Sequence, residues 1–86
     1  METDRVRELI QAGIEGAEVA EIERTPHPGE DEYDHFRAVV VAPAFEDVAL
    51  VGQHQMVYDA LGEHMHAEIH AIDLSTFTPG EYADRQ

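Results

Sequence analysis

The sequence predicts a two-layer α+β domain, in which helices pack on one face of a three-stranded mixed sheet. Apolar residues recur at helical spacing in two segments, strand-like runs occur in three, and a helix-capping pattern closes the chain. With 86 residues, the chain forms a single domain, residues 1–86, with a modest core. The elements follow the order α-β-β-α-α-β-α, at residues 4–14, 17–25, 35–42, 45–51, 53–65, 67–77 and from 79 onward.

The helical segments are recognised by their apolar stripes. In the first helix, Thr3 is the expected N-cap and Asp4 lies favourably in the first turn. In the main helix we expect Gly52 to bend a short first part into the longer second part. The stripe predicted for this main helix consists of Leu50, His54, Val57, Tyr58, Leu61 and Met65.

The strands are bounded by proline and by changes of period. Residues 35–42 are rich in β-branched valine, and Pro43 ends the run. After Met65 the helical period gives way to alternation, which places His70 in a strand. Residues 26–34 contain two prolines, a glycine and several acids, which is typical of an exposed loop between two strands.

The C-terminal segment carries a capping box. Thr78 and Glu81 have the spacing in which each caps the other's backbone amide, and Pro79 stands at the first helical position. A short helix should therefore begin there.

The charge of the chain is extreme. Nineteen acidic residues face five basic ones, all of them arginine, for a formal net charge of -14. Such a surface repels phosphate at ordinary ionic strength and argues against nucleic-acid binding. It is also typical of proteins adapted to molar salt, where the Debye length is only about 3 Å. We favour salt adaptation.

The sequence lacks the motifs that identify several classes of function. The chain has no cysteine, and therefore no disulfide or thiolate ligand of its own. It shows no catalytic triad order, phosphate-binding glycine loop or His-Glu-x-x-His motif, so we interpret it as a non-enzyme. No membrane span or signal segment is recognisable, and we expect a cytoplasmic protein.

Four motifs give the chain a resemblance to a known family. His35-Phe36-Arg37-Ala38-Val39-Val40-Val41 resembles the His-Phe-x-Val-x-Val-Val strand of BolA-like proteins, and Ile69-His70-Ala71-Ile72 resembles their Val-His-Ala-Leu strand. The other two are Gln53-His54-Gln55-Met56-Val57-Tyr58-x-x-Leu61, similar to Arg-His-Arg-x-Val/Ile-Tyr-x-x-Leu, and Thr76-Phe77-Thr78-Pro79-Gly80-Glu81-Tyr82, similar to Thr-x-Thr-Pro-x-Glu-Trp.

The resemblance implies a fold like a type II KH domain without the Gly-x-x-Gly loop. It implies a partner, a monothiol glutaredoxin of the CGFS type, with which the protein would share a [2Fe-2S] cluster. His70 matches the family's ligand in the Val-His-Ala-Leu motif. The second ligand would come from the loop between the first two strands, where His27 is the available residue and His35, just beyond, is the reserve. Alone, the protein is expected to be a monomer or weak homodimer.

The alternative is a KH-like nucleic-acid-binding transcriptional regulator, a role also described in the family. Gln53 and Gln55 stand where many members have arginine, which removes two positive charges from the main helix. Together with the net charge, this departure disfavours DNA contacts.

The remaining histidines have simpler interpretations. His54 lies on the apolar stripe and is expected to be partly buried and hydrogen-bonded. His64 and His66 flank Met65 near a helix C-terminus, where surface or capping roles are expected.

Overall fold

The structure is a computed structural model, which describes residues 2–25, 34–65, 67 and 69–85, with Asp34 and His70 described in their backbone only. The predicted loop over residues 26–33 lies outside the described residues. None of the described helices is long and apolar enough to cross a membrane.

Three strands and three α-helices make up the described fold, with two short 3-10 turns between them. The strands form one sheet in the order β1-β2-β3, with β1 antiparallel and β3 parallel to the central β2. This is the mixed three-stranded sheet that the sequence predicts. The elements are α1 (Thr3–Gly13), β1 (Glu18–Thr25), β2 (Asp34–Val41), a 3-10 turn (Pro43–Phe45), α2 (Leu50–Leu61), a second 3-10 turn (Gly62–His64), β3 (Ile69–Phe77) and α3 (Pro79–Asp84).

The core lies between the sheet and the helices α1 and α2. Apolar side chains of both helices and of all three strands form one buried cluster, which excludes water and stabilises the fold. Its largest fully buried members are Phe36, Phe45, Ile10, Leu61, Ile69, Val6, Val19, Val40 and Val57.

Helix α1 packs closely against α2 at Gly13. A β-carbon at this position would lie 2.5 Å from Cβ of Ala60, so glycine permits the close approach of the two helices. The start of α1 differs from the prediction. Glu2, rather than Thr3, is the N-cap, and it makes no side-chain capping bond.

Helix α2 begins earlier and ends earlier than predicted. The predicted helical turn over 45–51 is a 3-10 turn at Pro43–Phe45 instead, and Gly52 lies inside α2 without a break in the helix. The β-carbon of an alanine at Gly52 would lie 2.9 Å from Cγ1 of Val48. A methyl group at this position would therefore require the Val48 side chain to shift.

The predicted stripe of α2 is also partly wrong. Val57 and Leu61 are buried as predicted, but Leu50 and Tyr58 are exposed, and Gln53 takes an inward position. The chain turns at Gly62, so the predicted extension of the helix to residue 65 is replaced by a 3-10 turn.

The C-terminal helix α3 forms as the sequence predicts. The Thr78 side chain accepts a hydrogen bond from the Glu81 amide, and the Glu81 carboxylate accepts one from the Thr78 amide. The Arg85 guanidinium lies 4.7 Å from the ring centroid of Phe77, which ties α3 to the end of β3.

Candidate functional site

The candidate site lies at the start of β3, which is an edge strand of the sheet. His70 is the second residue of this strand. Asp34 pairs with Ile69 and His35 pairs with Ala71, so β3 advances two residues where β2 advances one. His70 is the extra residue of this bulge-like irregularity, a feature that often occurs at sheet edges and functional sites.

His35 lies on the neighbouring strand. It pairs with Ala71 on one side and with Thr25 of β1 on the other. The fold therefore brings the backbone of His70 next to His35, although the two are far apart in sequence. The Nε2 atom of His35 is buried, so a partner protein cannot reach that nitrogen in this conformation.

The second predicted ligand, His27, lies outside the described residues, as does His66. Among the residues that the structure describes, no group of three or more histidine, aspartate or glutamate side chains is placed to hold a metal ion.

His54 lies in the middle of α2 and is partly buried, as predicted. Its Nε2 atom is buried and has no hydrogen-bond partner within the described part of the chain. His64 closes the 3-10 turn after α2.

Gln53 has a role that the sequence motif did not suggest. Its Nε2 group donates to the carbonyl of Val48 at 2.8 Å and to that of Phe45 at 3.4 Å, while its Oε1 accepts from the Thr76 hydroxyl at 2.6 Å. Only 8% of the residue is exposed. In contrast, Gln55 is exposed and donates to Asp59 at 2.9 Å.

The two glutamines therefore differ in their environments, although both match arginine in the family motif. At position 55 a surface charge is lost. At position 53 the side chain faces inward and stabilises the turn before α2. An inward position at 53 could have been found from the spacing of Gln53, Val57 and Leu61, which share one helical face.

The described surface of the sheet carries an ion-pair cluster around Arg37. Its Nε donates to Glu23 at 2.7 Å, and its Nη2 lies 3.5 Å from Glu21. The hydrogen bond and charge of Glu23, followed by those of Glu21, raise the pKa of Arg37 above its usual value. Because arginine is charged at every ordinary pH in the folded and unfolded states alike, this raised pKa makes no contribution to the pH dependence of stability near neutrality.

Comparison with known proteins places this geometry in a family. The family model described as "BolA-like protein" matches residues 17–81. The chain is 36% identical over 56 residues to the DNA-binding transcriptional regulator BolA of Haemophilus influenzae, a match that covers 65% of this chain and 54% of that protein. It is 34% identical over 53 residues to SufE-like protein 1 of Arabidopsis thaliana, a match that covers 62% of this chain and 14% of that protein. The chain spans about half the length of the first two curated relatives it matches.

Solved structures of BolA-like proteins share the fold of nearly the whole chain. A BolA protein homologue from Coxiella burnetii superposes with a TM-score of 0.79 at 37% identity, covering 96% of this chain and 97% of that one. The BolA domain of SufE1 from Arabidopsis thaliana superposes with a TM-score of 0.72 at 28% identity, covering 92% of this chain and 93% of that one. Since the family model matches most of the chain and these structures share its α+β fold, the chain belongs to the BolA-like protein family.

Proposed function

We propose that this protein is an accessory protein of iron–sulfur cluster trafficking or iron homeostasis, which binds a [2Fe-2S] cluster jointly with a monothiol glutaredoxin of the CGFS type. Family membership supports the proposal, because the motif that resembles the family's ligand strand is present as Ile69-His70-Ala71-Ile72. No catalytic step is assigned to the chain itself.

The observation that carries the proposal is the position of His70 at the start of an edge strand. Within the described part of the chain, no strand pairs with the outer edge of β3, so a second protein can approach its backbone from that side. A ligand shared between two proteins must lie where both can reach the same metal ion, and an edge strand is one such position. A residue in the central strand β2 is enclosed by strands on both sides.

The available donor atoms suit one half of such a cluster. Imidazole nitrogen is a ligand for iron, and clusters in which histidine replaces some thiolates are known. The chain has no cysteine, so the partner would supply every thiolate. His70 and His27 would supply the nitrogen ligands, with His35 in reserve, which could bind only through Nδ1 because its Nε2 is buried.

The alternative function is transcriptional regulation by DNA binding, and two curated relatives carry that description in their names. The charge of this chain disfavours the alternative. Between Arg37 and Arg85 the sequence contains no lysine or arginine, so α2 and α3 offer phosphate no positive side chain from within that stretch.

Co-expression with a monothiol glutaredoxin tests the proposal. We expect a heterocomplex with visible absorption and a visible circular dichroism spectrum that differs from that of the glutaredoxin alone. Size-exclusion chromatography with iron and sulfide analysis gives the stoichiometry. If the visible spectrum belongs only to glutaredoxin that elutes without this protein, the proposal is wrong.

A further inference from the structure

Exposed apolar side chains lie on α2 at Leu50, Val51 and Tyr58. Together with the half-buried His54 between them, they form what we define as the outer face of α2. Leu50 is 61% exposed, Val51 79% and Tyr58 36%, and no other large apolar side chain is as exposed in the described part of the protein. Leu50, His54 and Tyr58 follow one another at intervals of four residues, so they form one stripe with Val51 beside it. Concentration of exposed apolar side chains on a single helix indicates an interaction surface.

Hydrogen bonds tie the start of α2 to its neighbours in the fold. The Gln53 side chain binds the carbonyls of Phe45 and Val48 and accepts a hydrogen bond from Thr76, which joins the preceding turn, the first turn of α2 and β3. Close packing of Gly52 on Val48 adds to this arrangement. A preordered surface loses little conformational entropy when a partner binds.

The charged residues of α2 and of the segments directly before and after it are all acidic. Glu46 and Asp47 precede the helix, Asp59 lies in its last turn and Glu63 follows it, and all four are exposed. At low ionic strength, a second copy of this chain would bring the same carboxylates against these, which costs free energy. The complementary partner is therefore a different protein, with apolar side chains surrounded by lysine and arginine.

The direction of α2 relates this surface to the candidate site. Gln53, near the start of α2, bonds to Thr76, near the end of β3. The other end of α2 leads through the turn Gly62–His64 to the start of β3. Helix α2 and strand β3 therefore run in opposite directions. The stripe is about 12 Å long at 1.5 Å per residue, and it runs from Leu50 toward the end of the molecule where β3 begins and His70 lies.

We propose that the outer face of α2 is the docking surface for the thiolate-bearing partner, a monothiol glutaredoxin whose contact face combines apolar side chains with a basic rim. This proposal rests on the proposed function. The exposed stripe is smaller than the roughly 800 Å² per partner of a stable interface, so the contact extends beyond it, toward the start of β3.

Titration with cluster-free monothiol glutaredoxin tests the apolar part of the surface. The double variant Leu50→Ala/Val51→Ala should bind at least about tenfold more weakly by calorimetry, since apolar anchors dominate interface energies. Its melting temperature should match that of the wild type, because both side chains are exposed. Glu8→Ala, an exposed position on α1, is the control and should bind like the wild type.

The predicted basic rim of the partner is tested by removing acidic charges from this protein. Asp59→Asn removes the charge but keeps the oxygen that accepts a hydrogen bond from Gln55. Glu63→Gln removes the charge of the residue that follows the helix. We expect the double variant to bind more weakly at low salt and to lose part of the dependence of affinity on KCl, since Glu46 and Asp47 remain. Glu8→Gln should retain the wild-type dependence. Equal salt dependence in all three proteins would overturn the basic rim.

The outcomes separate docking from cluster sharing. If the double alanine variant binds cluster-free glutaredoxin as tightly as the wild type, the docking surface is wrong, whatever the cluster spectrum shows. Weakened binding without any joint cluster supports the docking surface and overturns the proposed function. If the wild type binds glutaredoxin neither with nor without a cluster, both proposals are wrong.

Discussion

The Thr76 hydroxyl donates a 2.6 Å hydrogen bond to Oε1 of Gln53, and this buried contact joins β3 to α2. The Nε2 of the same glutamine donates to the Val48 carbonyl, so the side chain is satisfied at both ends. One residue therefore connects the edge strand that carries the candidate ligand to the helix that carries the exposed apolar stripe.

Removal of this connection should destabilise the protein. Gln53→Ala leaves the Thr76 hydroxyl and the Val48 carbonyl without their partner, which should lower the free energy of unfolding by about 2–4 kcal/mol. Gln55→Ala is the matched control in the same helix, and because Gln55 is exposed its effect should stay within about 0.5 kcal/mol. Urea denaturation measures both. Equal stability of the two variants would show that the Gln53 network contributes little.

The contact of α1 with α2 should not tolerate a methyl group. Gly13→Ala would place Cβ 2.5 Å from Cβ of Ala60, and relief of this overlap requires a backbone shift. We expect destabilisation of about 1–3 kcal/mol, although alanine is the better helix former. Gly80→Ala is the control, because no atom lies within 4 Å of its added Cβ. Thermal melts that rank Gly13→Ala above the wild type would contradict the close packing.

Local patterns predicted the elements that depend on local chemistry. The capping box at Thr78 and Glu81 formed as expected because both of its hydrogen bonds lie within four residues. The valine-rich strand β2 was likewise evident from side-chain type, since β-branched residues pack well in a central strand.

The orientation of α2 was harder to predict. Apolar side chains at Leu50 and Tyr58 suggested the buried side, yet the partners of Gln53 lie on β3 and in the turn before the helix. The contact with Thr76 is remote in sequence. The contact with Val48 depends on the turn before α2, whose form the sequence did not reveal. The pairing that places the backbone of His70 beside His35 is also non-local, and no local pattern in the sequence indicated it.

Salt should stabilise the folded state. With a net charge of -14, repulsion between carboxylates opposes folding, and molar KCl reduces its range. We expect the melting temperature to rise from low to molar KCl, by about 4–8 °C for each 1 kcal/mol gained. Sucrose is the uncharged control for solvent exclusion. An unchanged melting temperature in KCl would contradict salt adaptation.

Duplex DNA should bind weakly or not at all at physiological salt. Tight binding requires clustered lysine and arginine to neutralise phosphates, and five separate arginines do not supply such a cluster. Fluorescence anisotropy with specific and scrambled duplexes measures this. Gln55→Arg restores one positive charge at an exposed position and serves as the comparison. Sub-micromolar, sequence-selective binding by the wild type would favour the regulator function instead.

The proposed cluster ligand can be tested by His70→Ala. The backbone hydrogen bonds of β3 with β2 do not require the imidazole, so we expect the variant to fold with an unchanged far-ultraviolet circular dichroism spectrum. The visible spectrum of its complex with glutaredoxin should be lost or clearly altered. His64→Ala, in the turn before β3, is the histidine control, and His27→Ala should have a smaller effect.

The pH dependence of the complex gives an independent test of imidazole ligation. Only neutral imidazole binds iron, so cluster-dependent association should weaken as the pH falls below about 6.5, the ordinary pKa of histidine. In His70→Ala the contribution of this ligand to the pH dependence should disappear, while His64→Ala should keep the wild-type profile. A His70→Ala complex with the wild-type visible circular dichroism spectrum and pH profile would exclude His70 as the ligand and remove the main support for cluster sharing by this chain.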